Sequence, residues 1–443
     1  MLSILRNRTY RHLLTAQIIA LVGTGILTVA LGLLAYDIAG GNAGAVLGTA
    51  LAIKMIAYIG VAPIVGAFAD KLPRREFLVA MDLVRCSVAV LLPFVTEVWQ
   101  VYVLIFVLQS ASAAFTPTFQ ATIPDVLPDE RDYTRALSLS RLAYDLESLL
   151  SPLLAAALLS VMSFHWLFSG TSIGFIGSAL MVLSVRLPAA PAKPRSGGIY
   201  AHTTRGIRFY LKTPRLRGLL AVNLAAAAAS SMVIVNTVVI VRELLGFGQR
   251  EVAWALAAYG GGSMLSAFML PRLLDRIADR SVMLTASVML TVLLASGGLV
   301  LSHVGADLWA VLLVGWFLLG MAYSMSITPS GRLLRRSAGE SDRPAIFAAQ
   351  FALSHICWLI AYPVAGQVGA GWGQSVAFGI LAALAAIGVI AAFSTWPAND
   401  PDALAHDHAD LEKDHPHLQE HGAGSEHTHP YYIDDLHRRW PVS

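Results

Sequence analysis

The chain has 443 residues, enough for two or three soluble domains, but 56% of them are hydrophobic and only 13% are charged. Ordinary globular proteins carry about 25% charged residues, so this composition excludes a soluble protein and favours one embedded in a membrane. The net charge of +3 averages two unlike parts, because ten acidic and three basic residues give the tail 397–443 a charge of −7 and leave +10 on the rest.

Twelve apolar segments follow one another along the chain, each close to the roughly 20 residues that a transmembrane helix needs. We number them spans 1 to 12 and predict them at 13–36, 43–69, 77–96, 99–120, 137–160, 164–186, 217–241, 251–274, 281–302, 308–331, 344–367 and 371–395. Span 1 is too long for the core of a signal peptide, so we expect it to remain in the protein. Cys86 and Cys357 fall in different spans, and no disulfide is expected. The sequence therefore predicts an all-α integral membrane protein with 12 transmembrane helices.

The basic residues are distributed unevenly between the two faces. If the N-terminus is cytoplasmic, the cytoplasmic segments hold 26 of the 31 Lys and Arg residues, and the opposite face holds only Arg242 and Arg250. The other three, Lys54, Arg85 and Arg141, lie within spans. This asymmetry follows the positive-inside rule. We therefore expect a multi-pass protein of a bacterial inner membrane with both termini in the cytoplasm.

A long connection divides the spans into two groups of six. Residues 187–216 are rich in Pro, Gly and basic residues, which is typical of a linker. The two halves carry matching signals, since Asp70 follows span 2 as Asp275 follows span 8, and Pro152 lies in span 5 as Pro363 lies in span 11. The predicted domains are two six-helix bundles at 1–186 and 217–396, the linker 187–216 and the tail 397–443.

The segment after span 2 carries a recognisable motif. The pattern Gly-x-Leu-x-Asp-x-x-Gly-Arg-Arg/Lys is matched by Gly66, Phe68, Asp70, Arg74 and Arg75, with Phe68 in place of Leu and Pro73 in place of the second Gly. In this position the motif resembles the signature of the major facilitator superfamily. The resemblance covers residues 1–395 and implies two bundles that rock around a central path.

The same resemblance implies a set of gating residues at the cytoplasmic helix ends. They are Gly66, Asp70, Arg74 and Arg75, with Asp275 and Arg276 at the matching place in the second half. A carboxylate at a helix end beside arginines can make and break charge-assisted bonds as the bundles move. The alternative is that Asp70 caps a helix and the arginines bind lipid phosphates.

Span 5 favours export. Many antiporters of the superfamily carry Gly-x-x-x-Gly-Pro there, and this chain keeps small residues and the proline at Ser148, Ser151 and Pro152 but has neither glycine. Small residues let helices approach closely, and the proline kinks the span. The segment 117–136 also resembles the branch of the superfamily that exports drugs and siderophores.

Ionisable groups inside the membrane are candidates for function, since each costs at least about 2.5 kcal/mol on insertion scales. Arg141 and Asp145 lie four residues apart on span 5, so we expect them to pair. Glu147 points about 200° away from Asp145 around the helix and shares its face with no basic residue. An unpaired carboxyl there should be neutral much of the time, which suits a proton carrier or a metal ligand that exchanges a proton for a cation.

Other polar residues in the spans carry weaker signals. His355 is a candidate ligand, because span 11 corresponds to span 5 in the repeat, and Cys357 is a second one. A structural role is the alternative for His355, and packing as a small hydrophobe is the alternative for Cys357. In the resembled fold span 7 lines the path, which makes Asn223 and Asn236 candidate lining residues. Asp82 and Arg85 should pair, while Lys54 could reach the membrane surface or an acid of span 5.

Histidines are concentrated in the tail. Eight of the chain's 13 lie there, and we predict them as metal ligands: His406, His408, His415, His417, His421, His427, His429 and His437. Three His-x-His pairs among acidic residues suit nickel, copper, zinc or cobalt. The tail is polar enough that we expect it to be disordered. Its alternative is a solvated acidic segment whose histidines do nothing.

A major-facilitator body with a His-rich tail resembles the bacterial nickel-resistance permeases of the NreB type. That resemblance implies an exporter of nickel, with cobalt as the next candidate, that exchanges metal for protons. The alternatives are a multidrug or siderophore exporter, and a metal sensor that transports nothing. The chain lacks a phosphate-binding Gly-x-x-x-x-Gly-Lys loop, so we expect no enzyme and no cofactor. The basic loops face lipid, so we expect no nucleic-acid partner. We also expect a monomer in the lipid bilayer.

Overall fold

A computed structural model describes residues 2–68, 73–129, 157–188, 199–302, 308–339, 342–400, 403–407 and 426–433, eleven single positions between 132 and 155, and residues 436, 437 and 440. In the first half, spans 1, 2, 3, 4 and 6 are the helices Arg8–Ala39, Ala43–Phe68, Arg74–Leu91, Val98–Val126 and His165–Leu183. Every described residue between 136 and 159, the region of span 5, is helical.

In the second half, all six predicted spans are helices. Spans 7 to 12 are the helices Pro214–Val239, Gln249–Leu274, Asp279–Ser302, Leu308–Ile327, Arg343–Trp372 and Gln374–Thr395. A linker helix, Ile199–Lys212, precedes span 7, and a short helix, Ser330–Arg336, follows span 10. Single turns of 3-10 or π helix occur at Leu2–Arg6, Gly40–Asn42, Leu92–Phe94 and Ile240–Leu244.

Local sequence signals set several of these helix ends. The side chain of Asn7 caps span 1 by accepting a hydrogen bond from the Tyr10 backbone N–H at 3.1 Å. Gly40 ends the span 1 helix with φ +53°, and Gly373 separates spans 11 and 12 with φ +90°. Side chains with a Cβ rarely adopt such angles, so glycine allows the chain to reverse within one or two residues.

The helices suit a membrane in length and surface. Among the described residues, ten segments are long and apolar enough to cross one, and the first of these, Arg8–Val61, contains both span 1 and span 2. Large apolar side chains such as Phe94, Trp166, Ile173 and Phe268 are exposed on the outside of the bundle. A surface of this kind is stable against lipid and not against water. The predicted helical membrane fold is confirmed.

The two halves meet closely at the end of the bundle opposite the chain termini, which we call the distal end. There span 2 packs on span 11 where Gly44 lies against Gly366. A methyl group on Gly366 would overlap the Gly44 backbone, and one on Gly44 would overlap the Asn236 side chain. Asn236 of span 7 donates a hydrogen bond to the Ala365 carbonyl at 3.0 Å. Tyr36 donates to Glu243 at 2.9 Å. These interactions, which we call the distal contact, close the distal end in this structure.

Part of the tail is ordered, where the sequence led us to expect disorder. Strands β1 (Ala403–Asp407) and β2 (Glu426–Pro430) pair antiparallel, with His406 opposite His427 in the register. After β2, Tyr431 and Ile433 are buried against the second half. Their apolar side chains offset part of the cost of ordering a polar segment, which composition alone does not show.

Candidate transport site

Lys54, near the middle of span 2, interacts with one ionisable side chain of its own half and with one of the second half. Lys54 of span 2 lies close enough to Glu147 of span 5 and to His355 of span 11 for their charges to interact. All three side chains are only partly buried. The Glu147 carboxylate also lies against Gly25 of span 1, since its Oε1 is 2.9 Å from the place that a Cβ on Gly25 would occupy. We call Lys54, Glu147 and His355 the central triad.

The central triad changes the interpretation of Glu147. The sequence shows no basic residue on its face of span 5, which predicted an isolated carboxyl. That prediction is wrong, because span 2 supplies Lys54. Lys54 correspondingly meets an acid of span 5, one of the two outcomes that the sequence left open. An ammonium beside a carboxylate is far cheaper to hold within a membrane protein than either charge alone.

Aromatic rings hold His355 in place. Tyr58 lies one helical turn after Lys54, and its ring stacks on the His355 imidazole with centroids 5.5 Å apart and planes 14° apart. The Phe351 ring lies 4.0 Å from the same imidazole. His355 Nδ1 is 2.6 Å from the Phe351 carbonyl oxygen, which can only accept, so Nδ1 carries the proton. Nε2 of His355 then has a lone pair for a proton or a metal ion.

Polar groups of spans 1 and 5 continue the site. Ser140 donates a hydrogen bond to Gln17 at 3.0 Å. The Ser151 hydroxyl is buried beside Gly25 and has no hydrogen-bond partner among the described residues. Gln17, Ser140, Glu147 and Ser151 thus form a polar stripe where span 5 faces span 1.

Three predicted transport residues lie elsewhere. The Cys357 thiol points to backbone carbonyls of Leu220 and Leu353, at 3.9 and 3.7 Å, and belongs to an apolar cluster with Ala227 of span 7. Asn223 is buried and donates to the Leu219 carbonyl at 2.7 Å. Asn236 belongs to the distal contact. Cys357 therefore behaves as a small hydrophobe, and these three side chains do not join the central triad.

Some site predictions cannot be placed. Arg141, Asp145 and Asp70 lie outside the described residues, as do His408, His415, His417 and His421 of the tail. Within the described part of the chain, no group of three or more His, Cys, Asp or Glu side chains is arranged to hold a metal ion. An apolar cavity of about 90 Å³ lies at the distal end of the second half, lined by Leu293, Leu312 and Phe378, away from the central triad.

The residues predicted to gate lie beside ion pairs at the end of the bundle that holds the chain termini, which we call the terminal end. Arg74, at the first position of span 3, donates to Asp125 at the end of span 4. Arg75 donates to the Leu183 carbonyl at the end of span 6. Gly66 lies within the span 2 helix. Asp125 is a partner that sequence reasoning missed, although its place after Pro124 at the end of a span was a visible signal.

In the second half a different acid makes the ion pair. Asp275 is the residue that follows the span 8 helix, and Arg276 continues the turn. The pair forms four residues later, between Asp279 Oδ1 at the start of span 9 and Arg332 Nε of the short helix, at 3.6 Å. The sequence echo placed the motif correctly but did not show which acid makes the contact.

Comparison with known sequences identifies related proteins. The family model described as Major Facilitator Superfamily matches residues 13–248 and 219–420. The uncharacterized MFS-type transporter YfiS of Bacillus subtilis (strain 168) is 22% identical over 324 residues, which cover 71% of this chain and 76% of that protein. Macrolide efflux protein A of Enterococcus faecalis is 26% identical over 152 residues, but these cover only 32% of this chain and 47% of that protein.

Solved structures share the fold at low sequence identity. The nucleoside transporter NupG superposes with a TM-score of 0.64 and 13% identity, over 87% of this chain and 98% of that one. A D-xylose-proton symporter gives a TM-score of 0.63 and 13% identity, over 89% and 98%. Because the family model spans nearly all of the helical body and the fold agrees, this chain belongs to the Major Facilitator Superfamily of membrane transporters.

Proposed function

We propose that this transporter exports a divalent transition-metal cation, nickel first and cobalt second, in exchange for protons. The observation that carries the proposal is the central triad, which places a carboxylate, an imidazole nitrogen and an ammonium between the two halves. Carboxylate and imidazole are ligands for nickel and cobalt. Both also bind protons, so metal and proton compete for the same atoms.

Lys54 couples the two ions through charge. In the metal-free site its ammonium neutralises the Glu147 carboxylate. A dication that binds Glu147 and Nε2 of His355 repels this ammonium, because two excess charges are costly in a membrane interior. Lys54 therefore releases its proton to the cytoplasm as the metal enters, and binds a proton from the opposite side after the metal leaves. Each cycle then exchanges metal for proton, as alternating access requires.

The tail supports a metal as the cargo. Its eight histidines follow span 12, at the same end of the bundle as the N-terminus. Imidazoles tethered at the mouth of the path raise the local metal concentration there without being part of the path. This collecting role fits a metal and gives no advantage to an apolar drug.

A second candidate is export of an amphipathic organic compound. Macrolide efflux protein A matches part of the chain, and the rings of Tyr58, Phe351 and His355 form an aromatic surface beside the central triad. Aromatic faces bind organic cations well. Only two of the three predicted ligand residues lie in the site, since Cys357 is turned away, which leaves room for this alternative.

The deciding experiment measures cell-associated nickel, cobalt, zinc, copper and a radiolabelled macrolide in cells with and without the protein. We expect lower nickel in cells with the parent protein, no such effect with Glu147→Gln, and the parental effect with Cys357→Ala, a matched variant away from the site. A proton ionophore should abolish the difference. Reduced macrolide with unchanged metals would replace the proposal with the second candidate, and no change in any cargo would favour a sensor.

A further inference from the structure

Residues near the end of the chain contact a buried arginine of the second half. Arg215, at the start of span 7, is 1% exposed. It donates a hydrogen bond to the Tyr431 carbonyl at 3.5 Å, and the Trp440 ring lies 4.8 Å from its guanidinium carbon. The described residues after β2 are 431–433, 436, 437 and 440, and we call them the docked segment. The docked segment therefore covers the terminal end of span 7.

Asp400 fixes the beginning of the tail to the same place. Its carboxylate lies 3.5 Å from Arg215 Nε and 3.0 Å from Arg336 Nη2, and it accepts a hydrogen bond from the Trp396 indole at 3.0 Å. Arg336 belongs to the short helix after span 10. One carboxylate thus links span 12, span 7 and the short helix beneath the docked segment.

The docked segment also contacts the linker helix. Tyr431 and Ile433 share an apolar cluster with Phe209 and Tyr210 of that helix and with Leu333 of the short helix. The linker helix is itself held against span 11, since Tyr210 donates to Gln350 and Arg205 pairs with Asp342 at 3.3 Å. Docking of the tail therefore adds to the contacts that hold the linker helix on the second half.

Two histidines of the tail lie at the far end of this contact. The rings of His429 and His437 are 5.2 Å apart in a T-shaped arrangement, and His437 packs on Tyr431 at 4.7 Å. Tyr431 in turn packs on Trp440 at 5.3 Å. His429 is 6% exposed and His437 is 3% exposed. A continuous series of rings thus connects two imidazoles with the guanidinium of Arg215.

We propose that this series is a latch which metal opens. A metal ion bound by two imidazoles requires a nitrogen lone pair of each within about 2.1 Å of the ion. The T-shaped contact directs the edge of one ring at the face of the other, so at least one ring must rotate to bind. The latch requires that His437 is the ring that rotates, and its rotation breaks the contact with Tyr431. Metal binding and docking are therefore competing states of the same residues, and metal shifts the tail to the undocked state.

The latch rests on the proposed function and adds regulation to it. With little metal in the cytoplasm, the docked tail holds the linker helix on the second half and restrains the motion of the two bundles. As metal accumulates, His429 and His437 bind it, Tyr431 and Trp440 leave Arg215, and the linker helix is freed. Transport then rises with cytoplasmic metal by more than occupancy of the central triad alone would give.

Hydrogen exchange of the full-length protein in lipid nanodiscs tests the latch. We would compare backbone exchange in residues 199–212 and 330–336 with EDTA and with NiCl₂. In the parent, nickel should speed exchange on the order of tenfold. The double variant His429→Phe with His437→Phe keeps the rings but loses the nitrogens, so nickel should have no effect on it. The matched control is His415→Phe with His417→Phe, which should respond as the parent does.

Tyr431→Ala calibrates the undocked state, and its exchange should be fast with EDTA alone. Slower exchange in nickel, or an equal response of the parent and the His429→Phe, His437→Phe variant, overturns the latch. The readout needs no transport, so the two proposals fail separately. A parent that undocks in nickel but does not lower cellular nickel contradicts the proposed export and leaves the latch standing, whereas export without undocking contradicts the latch alone.

Discussion

Asp279 lies 3.6 Å from Arg332 in the second half, and this ion pair repeats the Arg74–Asp125 pair of the first half with the charges exchanged. In each half one partner starts the third span, and the other lies at the end of the fourth span or in the short helix that follows it. The repeat has therefore kept a contact between neighbouring helix ends and not the identity of either residue.

Exchanging the first pair tests this relationship. Arg74 is 4% exposed in its side chain, so Asp125→Asn deprives a buried guanidinium of its carboxylate and should lower the melting temperature clearly. Arg74→Asp should do the same. The double variant Arg74→Asp with Asp125→Arg, which copies the polarity of the second half, should recover about 1 to 3 kcal/mol relative to the sum of the single variants. Additive losses in thermal melts would show that the two residues are not coupled.

The central triad predicts a separation of folding from transport. Glu147→Gln should abolish nickel export, because the neutral amide neither offers a carboxylate to the dication nor makes the metal compete with the Lys54 ammonium. It also leaves the Lys54 ammonium without its carboxylate, which costs stability. Adding Lys54→Met should therefore raise the melting temperature above that of Glu147→Gln without restoring export. If the double variant melts below the single one, Lys54 and Glu147 are not partners.

Substitution of the buried Asp82 is expected to impair folding, whereas substitution of Glu147 is expected to impair transport. Asp82 is fully buried, pairs with Arg85 as its spacing predicted, and accepts a hydrogen bond from Ser178 at 2.7 Å. The Arg85 guanidinium lies 4.3 Å from the centre of the Phe115 ring. Asp82→Asn should cost about 3 to 5 kcal/mol and reduce the folded yield. Ser178→Ala should cost about 1 kcal/mol, and retained yield in Asp82→Asn would contradict this account.

The spans and the charged residues within them could be predicted from the sequence, because both follow from hydropathy and composition. It did not find the pairing of Lys54 with Glu147, since the helical periodicity of one span says nothing about which neighbour it faces. It also missed the docked tail. The acidic and histidine residues that favour disorder are followed by Tyr431, Ile433 and Trp440, and these apolar side chains were the available signal. Their binding place, around Arg215, exists only in the folded second half.

The distal contact predicts how the transporter can be opened. Gly366 lies against the backbone of Gly44, so Gly366→Val should separate spans 2 and 11 and favour the state that is open at the distal end. The thiol introduced by Thr49→Cys, in a Cys86→Ser, Cys357→Ser background, should then react with an impermeant maleimide on the order of ten times faster than it does without Gly366→Val. Gly371→Val is the matched control on the same helix, because a Cβ there meets no atom within 4 Å. Equal labelling rates in the two variants would refute the gate.

The last prediction separates collection of metal from the latch. Replacing His406, His408, His415, His417, His421 and His427 with alanine removes most of the collecting imidazoles and leaves Tyr431, His429 and His437 in place. Because a tethered chelator raises only the local concentration of metal, resistance should fall at low nickel, and the deficit should shrink as nickel rises. Protons compete with metal for imidazole nitrogen, so the tail's contribution should also fade as the cytoplasm is acidified towards pH of about 6.

Growth across a nickel series, with membrane abundance of the protein measured in parallel, checks this outcome. A variant with the same six positions changed to asparagine controls for the loss of polar side chains and should show the same deficit. If either variant loses export at every nickel concentration while it still reaches the membrane, these histidines belong to the transport path or its gate. The collecting role of the tail would then be wrong, since a chelator outside the path cannot limit export once the central triad is saturated.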